Sequence, residues 1–165
     1  MKAGFVLIAA ALIAVAPAYA RGTVVFAAGA WAAVDRGDAC EALARSAKIA
    51  PKGKVQPTAG FAFTPNHRRW GEFHAQLSRI PRPGSSVMLQ VGNQPFLLVA
   101  RDGWAWSRGP LQEQAIIAAA RGATAMQVET RDMGGRRFAD PYALDSAPTA
   151  IDAAAARCAG KTGRS

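Results

Sequence analysis

An α+β fold is the architecture that this 165-residue sequence predicts. Three observations lead to it: stretches of alternating polarity typical of half-buried strands, stretches with helix start and stop signals, and turn-forming dipeptides between consecutive strands. We expect an antiparallel β-sandwich or bent sheet with two to three short helices packed on it.

The first 20 residues have the pattern of a cleavable secretory signal. Lys2 gives a positive start, residues 5–16 are apolar throughout, and Ala18 and Ala20 provide the small residues of a cleavage site. The apolar run is shorter than the roughly 20 residues that a membrane-spanning helix needs, which disfavours an anchor. We therefore predict cleavage after Ala20, export to the periplasm and no transmembrane segment afterwards; association with the outer membrane stays open.

The chain that follows is predicted to be a single exported globular domain, residues 21–158, with a disordered tail at 159–165. Its net charge is +8, because Lys2 is the only charged residue of the leader and the whole chain carries +9. Residues 42–101 contain nine Lys or Arg but a single acid, Glu72. Such a basic field attracts anionic surfaces; the alternative is a solvated face that only aids solubility.

Cys40 and Cys158 are the two cysteines of the chain. In an oxidising compartment they allow one intramolecular disulfide, which would join the start of the domain to its last helix. Two free thiols or an intermolecular bridge are the alternatives. Because no CxxC motif occurs, a redox-active pair is disfavoured.

The first half of the domain is predicted to begin with a short strand at 23–26. A short helix is expected at 38–48, where Asp38 is placed to cap it and a Pro-Lys-Gly stretch ends it. Strict alternation predicts a half-buried strand at 70–80. Two further strands are expected at 87–91 and 95–100, and the next short strand points Trp104 and Trp106 to the same side.

The second half contains the clearest helix, from Pro110 at a first helical position to Gly122 as its stop. Alternation at 124–130 predicts a hairpin whose turn is Gly134-Gly135 and whose second strand is 137–142. Pro148 starts a last helix that places Cys158 on its apolar side. Antiparallel turns dominate this order of elements.

The C-terminal half resembles the invasion-associated locus B family of exported bacterial proteins. The resemblance covers the strand at 87–91, the helix segment 114–122, the hairpin at 126–135 and the segments 142–144 and 150–154, with a looser match at 24–40. It implies a periplasmic or outer-membrane-associated β-rich domain of Gram-negative bacteria. Some members are tied to host-cell invasion, and the resemblance brings no catalytic residues with it.

Aromatic and basic residues form the candidate binding surface. Aromatic rings beside arginines stack on sugars or bases, or hold a partner protein. The alternative is that the tryptophans fill the core and the arginines solvate its edges. The candidate residues are Arg68, Arg69, Trp70, Arg101, Trp104, Trp106 and Arg108.

No catalytic constellation stands out in the sequence. His67 and His74 are the only histidines, and no carboxylates or cysteines are spaced with them as a metal site requires. Neither a nucleophile elbow nor a complete phosphate-binding loop is present. We therefore expect no catalytic residue, no metal and no cofactor.

The function that the sequence favours is a non-enzymatic, exported interaction domain. Its basic, aromatic-edged surface would meet an anionic cell-envelope component or a partner protein. The alternative is a cell-envelope hydrolase that uses His74 or His67. Nucleic acid is disfavoured as a ligand by export, and the oligomeric state is not predicted.

Overall fold

A computed structural model describes residues 22–161. These residues form ten strands and two helices, which confirms the α+β class. In chain order the elements are β1 (Thr23–Ala28), β2 (Trp31–Asp35), β3 (Cys40–Arg45), β4 (Thr58–Phe63), β5 (Trp70–Gln76), β6 (Val87–Val91), β7 (Gln94–Arg101), β8 (Trp104–Trp106), α1 (Pro110–Gly122), β9 (Ala125–Arg131), β10 (Arg137–Ala143) and α2 (Ala147–Ala159).

The strands form one antiparallel sheet in the order β1-β2-β3-β4-β5-β8-β7-β6-β9-β10. The sheet bends, because segments from its two ends contact each other. Ala47, just after β3, donates its backbone N–H to the carbonyl of Pro141 in β10 at 2.9 Å. The indole N–H of Trp31 in β2 donates to the carbonyl of Ala143 at 2.7 Å. These bonds join strands that lie far apart in the sheet order.

Both helices pack on the same face of the sheet. Helix α2 contacts strands β1 to β5, and helix α1 contacts β5, β6 and β7. Alternate residues of the strands point into this layer, so the burial of β2, β3, β5 and β6 alternates along each strand. The large side chains buried there include Trp31, Phe61, Phe63, Phe73, Leu89, Ile116, Tyr142 and Ile151.

The predicted disulfide between Cys40 and Cys158 is present and fully buried. It joins β3 to the last turn of α2. Next to it, Asp35 pairs with Arg157 at 2.6 Å and with Lys161. The hydrogen bond from Lys161 is the main reason why the pKa of Asp35 lies well below its usual range, although burial acts in the opposite direction. The end of α2 is therefore held both covalently and by ion pairs.

The helix predicted at 38–48 is wrong, because this segment contains strand β3. Cys40, Ala42 and Ala44 face the helices, whereas Glu41 and Leu43 face the other side. Pairing with β2 and β4 on either side decides the conformation. Strands β2 and β4 were not predicted; both are rich in alanine, which has low strand propensity.

The predicted leader, residues 1–20, lies outside the described residues. The segment predicted as a tail begins inside α2, which ends at Ala159, and Lys161 donates to the carbonyl of Gly37 at 2.9 Å. Residues 162–165 also lie outside the described range. Between 22 and 161, no helix is long and apolar enough to cross a membrane.

Two polar groups of β10 are buried without full hydrogen bonding among the described residues. One oxygen of Asp140 accepts the N–H of Ser78 at 2.9 Å, while its other oxygen and the hydroxyl of Tyr142 have no partner. Burial, and secondarily the charge of Asp140, raise the pKa of Tyr142. The phenol therefore stays protonated at physiological pH.

Reduction of the disulfide should lower the free energy of unfolding by about 2–5 kcal/mol, because 118 residues separate its cysteines and the unfolded chain gains entropy when they part. Urea unfolding of the oxidised and reduced protein measures the difference. Equal midpoints with equal slopes would contradict this expectation.

Tyr142→Phe should leave the free energy of unfolding within about 1 kcal/mol of the wild type, because the hydroxyl that it removes is buried without a partner. Tyr142→Ala, which removes the whole buried ring, is the contrasting variant and should cost about 3–5 kcal/mol. A large loss in Tyr142→Phe would show that the hydroxyl has a partner.

Candidate functional site

The face of the sheet opposite the helices carries a groove of about 850 Å³. The groove lies along a row of seven residues, one from each of seven neighbouring strands, in which each residue pairs directly with the next. Since cross-strand partners lie on the same face of a sheet, their side chains form one continuous line. The row consists of Ala27, Ala32, Leu43, Gly60, His74, Trp106 and Val99.

Gly60 lets Leu43 and His74 approach each other at the middle of this row. A Cβ atom there would lie 2.6 Å from the carbonyl oxygen of Ala42, 2.6 Å from the side chain of Leu43 and 3.1 Å from the ring of His74. These distances are too short for any side chain, so only glycine fits between Leu43 and His74. The two flanking side chains consequently close over Gly60, which is buried.

Trp104 and Trp106 form one wall of the groove. They lie two residues apart on β8, on either side of the buried Ala105, which confirms that they share a side. Their rings are nearly parallel, at 18°, with centroids 6.3 Å apart. The ring of His74 lies 6.4 Å from that of Trp104. Both indoles are half-buried, so they belong neither to the core nor to the fully exposed surface.

Charged residues line the other side of the groove and are mostly paired. Arg36 binds Glu41, and Arg69 lies 3.6 Å from Glu72. Arg45 also lines the groove and makes no ion pair within residues 22–161. Three arginines and two glutamates therefore give the groove a small positive charge and several hydrogen-bonding groups.

His74 lies in the groove between these charged residues and the tryptophans. Burial lowers the pKa of His74 below its ordinary value of 6.5, and the negative charges of Glu41 and Glu72 only partly oppose this effect. The imidazole is therefore neutral at physiological pH and has both a donor and an acceptor nitrogen.

The structure brings three of the predicted binding residues together in the groove: Arg69, Trp104 and Trp106. Arg101 lies opposite Trp104 on β7 and extends into solvent, 3.5 Å from Asp102. It therefore belongs to the rim of the groove.

Trp70 lies on the opposite face. Gly71, with a φ of +92°, forms a bulge that shifts the register between β4 and β5 and pairs Trp70 with Phe63. The indole packs edge-on against Phe63 at 5.3 Å and stacks on His67 at 4.0 Å. Trp70 therefore does not line the groove. Three other candidate residues are also absent from its lining: Arg68, Arg101 and Arg108.

Neither imidazole ring has a nucleophile beside it. Among residues 22–161, His67 and His74 make no hydrogen bond or ion pair with a serine, a cysteine or a carboxylate, and no cluster of three metal-ligating side chains occurs. His67 lies in an exposed turn and has a φ of +55°.

Sequence reasoning missed Arg36, Glu41 and Leu43 as groove residues. Leu43 and Glu41 belong to the segment predicted as a helix. A helix prediction does not place these two side chains on the face of the sheet that carries His74. The alternation of small buried residues from Cys40 to Ala44 was the available signal.

Comparison of the chain with protein-family models, with curated proteins and with solved structures gives no match. The resemblance to the invasion-associated locus B family stays a prediction. Any assignment of function therefore depends on the chemistry of the groove and of the remaining surface.

His74→Gln should reduce the loss of stability on acidification. Because the folded pKa of His74 lies below its unfolded value, the unfolded chain binds a proton that the folded chain does not. The free energy of unfolding therefore falls as the pH is lowered through about 6.5 and stops falling below the folded pKa. Urea unfolding between pH 7 and pH 5 measures the slope. His67→Gln, in the exposed turn, is the matched control, and equal effects of both substitutions would contradict the assignment.

Proposed function

We propose that this protein is a non-enzymatic, exported binding domain of the bacterial periplasm whose groove binds an anionic glycan of the cell envelope. The observation that carries the proposal is the pair of nearly parallel indoles, Trp104 and Trp106, on an open sheet face. A sugar ring has a face of C–H groups, which packs favourably against the electron-rich face of an indole.

The polar groups of the groove suit the hydroxyls of a glycan. The carboxylates of Glu41 and Glu72 accept hydrogen bonds, and the guanidinium groups of Arg36 and Arg69 donate them. Since each acid is held by an arginine, these groups are positioned before a ligand arrives, which lowers the entropy cost of binding. Apolar walls with a few placed polar groups are typical of ligand sites.

The positive charge of the domain favours an acidic ligand. Arg45 in the groove has no carboxylate partner among the described residues, and Arg101 projects from the rim. The net charge of +8 after leader removal adds a long-range attraction. A partner protein is the other occupant that the sequence allows.

Export and family membership belong to the same proposal. The buried disulfide supports an oxidising compartment, since such bonds persist outside the cytoplasm. The contacts of Ala47 and Trp31 with β10 support a sandwich-like arrangement of the bent sheet. The strand-rich fold is compatible with the β-rich domain that the invasion-associated locus B resemblance implies. Within residues 22–161, neither histidine ring hydrogen-bonds to a serine, a cysteine or a carboxylate, and their ring contacts are with Trp70 and Trp104, which favours a role in binding over one in hydrolysis.

Trp106→Ala and Trp104→Ala should each weaken binding of oligogalacturonate, a uronic-acid glycan, by about tenfold, or about 1.4 kcal/mol, because each removes an aromatic stacking surface. Isothermal titration calorimetry measures the affinity. Trp70→Ala is the matched control, since this indole lies on the opposite face of the sheet, and thermal unfolding checks that each variant folds.

Equal weakening by Trp70→Ala, or unchanged affinity of the two groove variants, would overturn the glycan groove. If the wild type cleaves the oligosaccharide and His74→Gln abolishes this cleavage, the result would instead support the hydrolase alternative. Mass spectrometry of the glycan after incubation detects such cleavage.

A further inference from the structure

Two loops meet at one end of the sheet, away from the groove. Residues 79–82, which follow β5, lie against the hairpin loop between β9 and β10. An isolated antiparallel bridge joins Pro81 to Asp132, and the N–H of Arg82 donates to the carbonyl of Arg131 at 2.9 Å. We call residues 79–82 and 131–137 the arginine tip. Its arginines are Arg79, Arg82, Arg131, Arg136 and Arg137.

The arginine tip carries an uncompensated positive charge. Asp132 is buried and binds Arg79 at 3.0 Å and Arg136 at 3.2 Å. In the described part of the chain, no carboxylate pairs with Arg82, Arg131 or Arg137. Asp132 thus organises the tip without neutralising it.

Two of these arginines face each other directly. Arg131 and Arg137 are cross-strand partners at the loop end of the hairpin, and both are exposed. Like charges in this position destabilise a sheet unless an anion lies between them. They border a cleft of about 670 Å³ together with the hydroxyl-bearing Ser85 and Ser86. Guanidinium groups and hydroxyls are the side chains that bind phosphate oxygens.

Glu129 also lines this cleft and is the one acid on its wall. Its carboxylate accepts a hydrogen bond from Gln127 at 3.4 Å and makes no ion pair with the facing arginines. The anion-binding end of the cleft is therefore the outer end, towards the loop. Removing the charge of Glu129 should strengthen anion binding there.

Apolar side chains stand beside this charge. Ile80 and Met133 flank the Pro81–Asp132 bridge on the same side, and they are 59% and 61% exposed. Exposed apolar residues beside clustered arginines are typical of proteins that lie on a membrane surface, where the cations meet lipid phosphates and the apolar groups enter the headgroup region.

We propose that the arginine tip binds the surface of a bilayer that contains anionic phospholipids. Arg82, Arg131 and Arg137 contact the lipid phosphates, while Ile80 and Met133 insert between the headgroups. The tip shares no residue with the groove, so this inference does not depend on the proposed glycan function.

Co-sedimentation of the disulfide-bonded protein with vesicles tests the tip. We expect binding to vesicles of phosphatidylcholine with phosphatidylglycerol, little binding to phosphatidylcholine alone, and weakening by added salt. Arg131→Gln combined with Arg137→Gln should lower the affinity by about tenfold or more, since each cation near an anionic surface contributes about fivefold. Ile80→Ser with Met133→Ser should lower it several-fold at unchanged charge, and Glu129→Gln should raise it.

Lys52→Gln combined with Lys54→Gln is the charge-matched control, because these exposed lysines lie in the loop between β3 and β4. It should bind vesicles like the wild type, as should Trp106→Ala. Equal loss in the lysine control, or unchanged binding in the arginine variant, would overturn the tip as the site. Release of the protein by inorganic phosphate, but not by chloride at equal ionic strength, would overturn the lipid and indicate a site for free phosphate.

Discussion

The attachment of helix α2 to strand β3 determines which face of the sheet is covered. The buried disulfide between Cys40 and Cys158 joins them, and the ion pairs of Asp35 with Arg157 and Lys161 lie beside it. Because α2 packs on β1 to β5 and α1 packs on β5, β6 and β7, both helices cover the same face of the sheet. Within residues 22–161, no layer covers the opposite face of these strands, and the groove lies there.

Small residues then shape this open face. The strand at its centre, β4, presents only Thr58, Gly60 and Ala62 to the groove side, while its other residues fill the core. A larger residue at Gly60 would meet the backbone of β3 as well as the ring of His74. Glycine at this position therefore lets Leu43 and His74 lie close together over β4.

The sequence predicted the elements whose signals are local. Helix α1 has a proline at its start and a glycine at its end, strand β5 alternates strictly, and the hairpin of β9 and β10 turns at Gly134-Gly135. The disulfide followed from the count of cysteines. Strands β2, β3 and β4 could not be predicted in the same way, because alanine and glycine carry little periodicity and pairing with neighbours decides their conformation.

The candidate site was predicted in part, for a related reason. Trp104 and Trp106 lie two residues apart, so their common side follows from strand geometry alone. Strict alternation along β5 would place Trp70 on the same side as Glu72 and His74. The bulge at Gly71 turns it to the core side instead. A register shift of one residue therefore places Trp70 on the opposite face of the sheet from Trp104 and Trp106.

The two surfaces differ in how their charges are balanced, and this difference separates the ligands that suit them. The basic excess of residues 42–101 pointed to Arg68 and Arg69, yet Arg69 is paired with Glu72 in the fold. A groove of mostly paired charges and stacked rings suits recognition by shape and hydrogen bonding. The unpaired arginines of the tip belong to residues 79–82 and 131–137, which the Pro81–Asp132 bridge joins. The positive field of these arginines attracts anions without requiring a precise arrangement of the ligand, so it suits an extended anionic surface. Because no residue of the arginine tip lines the groove, a ligand at either proposed site would leave the residues of the other uncovered.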